Sequence, residues 1–157
     1  MTHAATDALL AELAAHYDGM PPTRAMGVRV LGYDGQTLRL SAPLARNVND
    51  KGCAFGGSLA GLMTLAAWGL ATLKLGEAGQ HAEVYVADSQ VRYLAPLYDE
   101  LVAEARLAAG ESWDDFLAAY AARGRARATL SACVRLPGGG EAASFTGRFA
   151  ALAPKAR

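Results

Sequence analysis

The sequence predicts an α+β domain in which an antiparallel sheet wraps one long central helix. Three observations carry that prediction. From Phe55 to Leu73 no side chain is charged, so a helix there is apolar on nearly every side and must be enclosed by other structure. The segments on both sides of it alternate apolar and polar residues with the period of a half-buried strand. Their order, a helix, two strands, the long helix and then four strands, suits a sheet with the helix on its concave face.

Taken in order, Thr6 to Tyr17 reads as an amphipathic helix, reaching residue 18 at most, with Leu9, Leu10, Leu13 and Ala14 on one side. Thr6 or Asp7 can cap it, and Gly19 and Pro21-Pro22 end it. Ala25 to Tyr33 and Thr37 to Ala42 are strands joined by an Asp34-Gly35 hairpin. Pro43 to Asp50 is a loop. The long helix covers about Gly56 to Leu75, with Gly76 and Gly79 closing it. Glu83 to Leu94 is a strand with Tyr85, Ala87, Ser89, Val91 and Tyr93 on one face and Val84, Val86, Asp88, Gln90 and Arg92 on the other. Glu100 to Ala109 is the next strand. Ser112 to Ala122 is a short helix, with Ser112 and Asp115 at capping-box spacing. Arg123 to Leu136 and Glu141 to Leu152 are strands around a Pro137–Gly140 turn. The tail after residue 153 is expected to fray.

The 157 residues are expected to form a single domain, 1–157, and the 52% hydrophobic content excludes disorder. Fifteen basic and fifteen acidic residues cancel, which favours neither nucleic acid nor an anionic membrane as partner. The uncharged run approaches membrane-spanning length, but it is rich in Gly, Ala and Thr and is followed by amphipathic strands, so it reads as a buried helix. Cys53 and Cys133 give no disulfide framework, and the N-terminus lacks a signal-peptide pattern. A reducing cytoplasm is the expected compartment. His3, His16 and His81 are scattered, so no metal site and no cofactor are expected. A six-stranded open sheet has edges that a homodimer, or a dimer of dimers, would cover.

The run Asn49-Asp50-Lys51-Gly52-Cys53-Ala54-Phe55-Gly56-Gly57 leads into the long helix. With the element order, it resembles the hotdog-fold acyl-thioesterase superfamily. Many members of the phenylacetyl-CoA-thioesterase-like branch carry Asn-x-x-Gly-x-x-His-Gly-Gly at this place. Phe55-Gly56-Gly57-Ser58, Trp68-Gly69, Ala87-Asp88-Ser89 and Arg92-Tyr93-Leu94-Ala95-Pro96 look more specifically like the YiiD C-terminal-domain family. The resemblance spans roughly Pro22 to Ala153. It implies thioesters of CoA or acyl carrier protein as substrates. It implies either hydrolysis or, as in single-domain relatives, malonyl-ACP decarboxylation feeding fatty acid initiation.

Thioester chemistry needs a polarised carbonyl. Backbone N–H groups at a helix N-terminus supply that, and glycine lets a substrate approach. Gly56 N–H is the candidate oxyanion donor, with Gly57 giving access, Phe55 placed to touch substrate, and Ser58 placed either to cap the helix or to touch substrate. Asn49 reads either as a substrate- or water-binding amide or as a turn residue bonding its own backbone. Two positions depart from the related thioesterases. Phe55 replaces histidine, and Thr64 stands where an acid serves as base or nucleophile. Thr64 can orient water or bond back to the preceding turn. Losing both groups keeps decarboxylation open, since that reaction needs enolate stabilisation but no base. It also keeps open a non-catalytic acyl-thioester-binding dimer. Asp88 either supports the site across a dimer or pairs with Arg92. Arg123, Arg125, Arg127 and Arg135 are candidates for CoA phosphates or an acidic carrier protein, or form a solvated face. A Ser58 nucleophile elbow lacks a later histidine in suitable position, and Cys53 lacks an activating partner.

Overall fold

A computed structural model describes residues 2–155 and shows the expected α+β architecture. Helix α1 spans His3–Gly19 and starts earlier than Thr6, because the Thr2 hydroxyl accepts the Ala5 N–H at 3.2 Å. Pro21 and Pro22 do not merely stop it. They open a second helix, α2 (Pro21–Met26), since proline in a first turn forfeits no helical hydrogen bond. Gly27 ends α2 in the left-handed region, φ 73°. Strand β1 is therefore Arg29–Tyr33 rather than a strand from Ala25. The Asp34 carboxylate fixes the following hairpin by accepting the Thr37 and Gln36 N–H groups at 2.7 and 2.9 Å. Those bonds hold its carboxyl below the usual range. Strand β2 (Leu38–Ala42) and a short 3-10 turn (Leu44–Arg46) follow. The central helix α3 runs Gly56–Glu77, through Gly76 rather than ending before it. Then come β3 (Glu83–Tyr93), β4 (Leu101–Leu107), α4 (Trp113–Arg123), β5 (Arg125–Arg135) and β6 (Glu141–Leu152). Ser112 caps α4 as expected, accepting Asp115 N–H at 3.2 Å. Of the tail expected to fray, Pro154 and Lys155 are exposed; Ala156 and Arg157 lie outside the described residues.

The six strands form one antiparallel sheet in the order β1-β2-β4-β5-β6-β3. The chain crosses through α3 from one side to the far edge, so β1 and β3 are the edges. Three sides of α3 are covered. Leu62, Met63, Ala66 and Leu70 pack under Leu40, Ala103, Leu130 and Phe149 of the sheet. Helix α1 covers a second side at a glycine notch: a Cβ on Gly69 would lie 2.1 Å from the Tyr17 hydroxyl and 2.8 Å from Leu38 Cδ2. The Tyr17 hydroxyl donates to the Leu65 carbonyl at 2.7 Å, and burial pushes its pKa up. Phe116 and Tyr120 of α4 close a third side. Thus α3 is long and apolar enough to cross a membrane by length and composition, yet 56% of its most apolar window is buried in the fold.

The fourth side stays open. Gly57, Ala60, Thr64 and Trp68 share a stripe at helical spacing, and none of them is fully buried. Strand β3 flanks it, tied there by the Trp68 Nε1–H donating to the Val84 carbonyl at 2.8 Å.

The register of β3 corrects the expected faces. Val84 and Val86 stand opposite Ala151 and Phe149, both buried, and a bulge then intervenes before Asp88. Ser89, Val91 and Tyr93 next oppose Gly147, Phe145 and Ala143, again on the helix side. Directly opposed residues share a face. The extra residue at Ala87 therefore switches the alternation, and Tyr85 and Asp88 both point outward.

Candidate active site at the amino end of the central helix

The loop before α3 is a tight hairpin. Val48 bridges Ala54, and the Asn49 N–H donates to the Cys53 carbonyl at 2.8 Å. Gly52 turns it at φ 84°, a conformation that costs a side-chain-bearing residue energy. Asn49 organises the turn from within. Its Oδ1 accepts the Lys51 and Cys53 N–H groups at 2.8 and 3.1 Å, and its Nδ2 donates to Cys53 Sγ at 3.2 Å. The amide nitrogen carries two hydrogens, so one remains available.

Asn47 is a second anchor, although nothing local in the sequence distinguishes it from a turn residue. It is 2% exposed. Its Nδ2 donates to the Met26 and Pro43 carbonyls, both at 2.8 Å, and its own carbonyl accepts the Phe55 N–H at 2.7 Å. It thereby locks α2, the loop and the start of α3 together. Its buried Oδ1 has no partner among the described residues.

Phe55 is the N-cap of α3, with extended backbone and no side-chain cap bond, so Ser58 does not cap the helix. The N–H groups of Ser58 and Leu59 return to the Phe55 carbonyl, both at 3.0 Å. Those of Gly56 and Gly57 have no hydrogen-bond partner among the described residues. Two donors at the positive end of a 22-residue helix are thus free.

Two rings flank them. A Cβ on Gly57 would lie 2.5 Å from Phe55 Cε2, and one on Gly56 3.3 Å from Tyr93 Cε1. Phe55 and Tyr93 are 54% and 59% exposed, so they form open walls rather than core. Nothing local in the sequence assigns Tyr93 to the entrance, because its closeness to Gly56 is a tertiary contact. Ser58 is buried just inside. Thr64 lies further along the open stripe, where its hydroxyl donates to the Ala60 carbonyl at 2.8 Å. This is the back-bonding geometry of a helical threonine, and it leaves the oxygen's lone pairs free to accept.

Asp88 is not brought to this entrance within one chain. It lies on the outer sheet face and pairs with Arg148, not Arg92; Arg148 Nε reaches its two oxygens at 2.9 and 3.1 Å, and a second guanidinium nitrogen also bonds it. The Arg148 hydrogen bond holds the carboxyl below its ordinary pKa. The described residues contain no group of three or more His, Cys, Asp or Glu placed to hold a metal. A pocket of about 420 Å³ lies at the opposite end of α3, lined by Leu9, Leu13, His16, Leu73, Gly76 and His81 among others. It is too remote from Gly56 to belong to this site, since twenty helical residues span about 30 Å.

Comparison with known proteins places these features in a family. Residues 10–153 match the family described as "Putative thioesterase (yiiD_Cterm)". A Chlorobaculum tepidum protein described as of unknown function is 31% identical, with 95% of this chain and 97% of that one covered, TM-score 0.88. A Shewanella oneidensis protein described as a "putative thioesterase" is 28% identical, covering 93% and 99%, TM-score 0.83. A Haemophilus influenzae thioesterase, 14% identical over 92% and 90%, TM-score 0.72, shares the fold.

Proposed function

The chain belongs to the "Putative thioesterase (yiiD_Cterm)" family and has its hotdog fold, and on that footing we propose that it hydrolyses acyl thioesters of CoA or acyl carrier protein at the amino end of α3. The observation that carries this is the free N–H pair of Gly56 and Gly57 at a helix N-terminus. Such groups donate hydrogen bonds to the thioester oxygen and stabilise the charge that develops on it. Phe55 and Tyr93 flank the acyl group, and Ser58 borders it. The remaining Asn49 Nδ2 hydrogen steadies substrate or water. Thr64 accepts a hydrogen bond from the attacking water and aims it, because a neutral hydroxyl is a poor base. Water adds to the carbonyl, the C–S bond breaks, and a carboxylic acid and a thiol leave.

A second reading, malonyl-thioester decarboxylation, is favoured by one observation: the run from Phe55 to Leu73 carries no base. In that reaction the C–C bond to the carboxylate breaks, carbon dioxide leaves, and the same N–H pair holds the enolate oxygen until a solvent proton gives the acetyl thioester.

The working unit in this proposal is a homodimer, alone or in a dimer of dimers. The β3 edge exposes Tyr85, Val86, Tyr93 and Leu94 beside the open flank of α3, a surface that an unpaired edge strand needs covered. Both cysteines are free thiols, which suits a reducing cytoplasm. The test follows free thiol and carbon dioxide with acetyl-, malonyl- and longer acyl thioesters. Thiol without carbon dioxide supports hydrolysis; carbon dioxide without thiol supports the second reading. Tight binding with neither product would leave a non-catalytic thioester-binding dimer and overturn both.

A further inference from the structure

The outer face of the sheet carries a charge imbalance that the proposed chemistry leaves unused. Its residues alternate with the buried ones that pack beneath α3 and α4. Strand β5 places Arg125, Arg127 and Arg135 there; β1, β2 and β4 add Arg29, Arg39 and Arg106, and β6 and β3 add Arg148 and Arg92. The cross-strand register joins them into one patch: Arg39 opposes Glu104, Arg148 opposes Thr129 and Asp88, and Arg92 opposes Ser144. The carboxylates on this face are Glu83, Asp88, Glu104 and Glu141. Within the strands, eight arginines over four carboxylates leave four positive charges in excess, on a chain whose formal total is zero.

Two of those carboxylates are already taken. Glu104 lies 3.2, 4.0 and 3.4 Å from Arg39, Arg106 and Arg135, and Asp88 is held by Arg148. Burial raises the Glu104 pKa, but its hydrogen bond to Arg39 and the Arg135 charge outweigh that and hold it below the ordinary value. It therefore stays ionised. Arg92, Arg125 and Arg127 take part in no ion pair among the described residues. Every cation of the patch is arginine, whose planar fork pairs two-pronged with carboxylates.

We infer that this face docks an acidic protein. Resting on the thioester reading above, that protein is the carrier that delivers the acyl chain. A second copy is the wrong occupant, because two such faces back to back would set like charges against each other. Nucleic acid fits less well, since interspersed Glu83, Glu104 and Glu141 would meet phosphates and the chain has no net positive charge to attract a polyanion. The mixed pattern instead suits the mixed but acidic surface of a protein. On β3 the patch ends at Arg92, one residue before Tyr93, whose ring turns to the opposite face of the sheet and lies against Gly56.

The test uses the full chain and a double charge reversal, Arg125→Glu with Arg127→Glu, two exposed side chains away from the entrance. Acetyl-loaded bacterial acyl carrier protein is the probe for binding, and acetyl-CoA turnover is the internal control. Carrier affinity is expected to fall about tenfold or more in the variant and to weaken with added salt in the wild type. Acetyl-CoA turnover should be unchanged, and Arg→Lys at both positions should restore most of the binding. Equal carrier binding by wild type and variant, or none by the wild type, overturns the inference. So does tighter binding of a DNA duplex or of phosphatidylglycerol vesicles. Because binding is read without turnover, failure here and failure of the thioester chemistry remain separable.

Discussion

Gly57→Ala separates the chemistry of the entrance from its stability. A Cβ at this position would lie 2.5 Å from Phe55 Cε2, whereas ordinary contact begins at 3.4 Å, so the ring must retreat by about 0.9 Å. Phe55 is half in solvent and can swing, so the cost to folding is small. Replacing glycine in a helix also recovers about 0.5–1 kcal/mol of backbone entropy. The expected urea midpoint is unchanged or slightly raised, with the slope unaltered. Catalysis should suffer, since a displacement of about 1 Å in a positioning group can cost roughly 10²-fold. Thiol release from an acyl thioester should drop by about that factor. The double variant with Phe55→Ala gives the control. With the ring removed, adding Gly57→Ala should cost little further. Full activity in Gly57→Ala, or a loss of stability beyond about 1 kcal/mol, would refute this account of the entrance.

Other residues give equally definite expectations. Asn49→Asp keeps the Oδ1 acceptor for Lys51 and Cys53 but removes the Nδ2 donor; stability should hold within about 0.5 kcal/mol while turnover falls about 10²-fold. Unchanged turnover would confine Asn49 to shaping the turn. Gly69→Ala drives a methyl into the Tyr17 hydroxyl and should cost about 2–3 kcal/mol by chemical denaturation, from overpacking and the lost bond to Leu65, offset by helix propensity; a neutral result would dismiss the glycine-notch packing of α1. The Cys133 thiol is pushed up to about 11, first by burial and then by Glu141. It should stay protonated and slow toward iodoacetamide at about pH 8, with reactivity rising only as pH approaches about 11; a midpoint near the ordinary thiol value would contradict that environment.

Much of this was written locally in the chain. The uncharged run from Phe55 to Leu73 marked α3, and the alternation around Leu130 and Phe145 marked the inner sheet face, because burial imposes those patterns directly. The double proline misled, since Pro21-Pro22 is compatible with ending one helix and starting another. The bulge at Ala87 left no trace, because Val86 and Ala87 are both apolar and either could face the helix. Within the site, the free N–H groups of Gly56 and Gly57 followed from the glycine pair at a helix start. The roles of Asn47 and Tyr93 did not, since both arise from contacts between segments distant in sequence. Asp88 was legible as an unusual strand acid, but its partner Arg148 sits sixty residues away.

The claim that Gly56 and Gly57 bind the thioester oxygen can be read amide by amide. Proton–nitrogen correlation spectra of the labelled protein would be recorded with an acyl-CoA amide analogue, which keeps the carbonyl but resists cleavage, and with a thioether analogue that lacks it. The expected result is a downfield shift of the Gly56 and Gly57 amide protons with the carbonyl-bearing analogue and much smaller shifts with the thioether. If the amide analogue binds and leaves those two resonances where they were, the oxyanion site lies elsewhere.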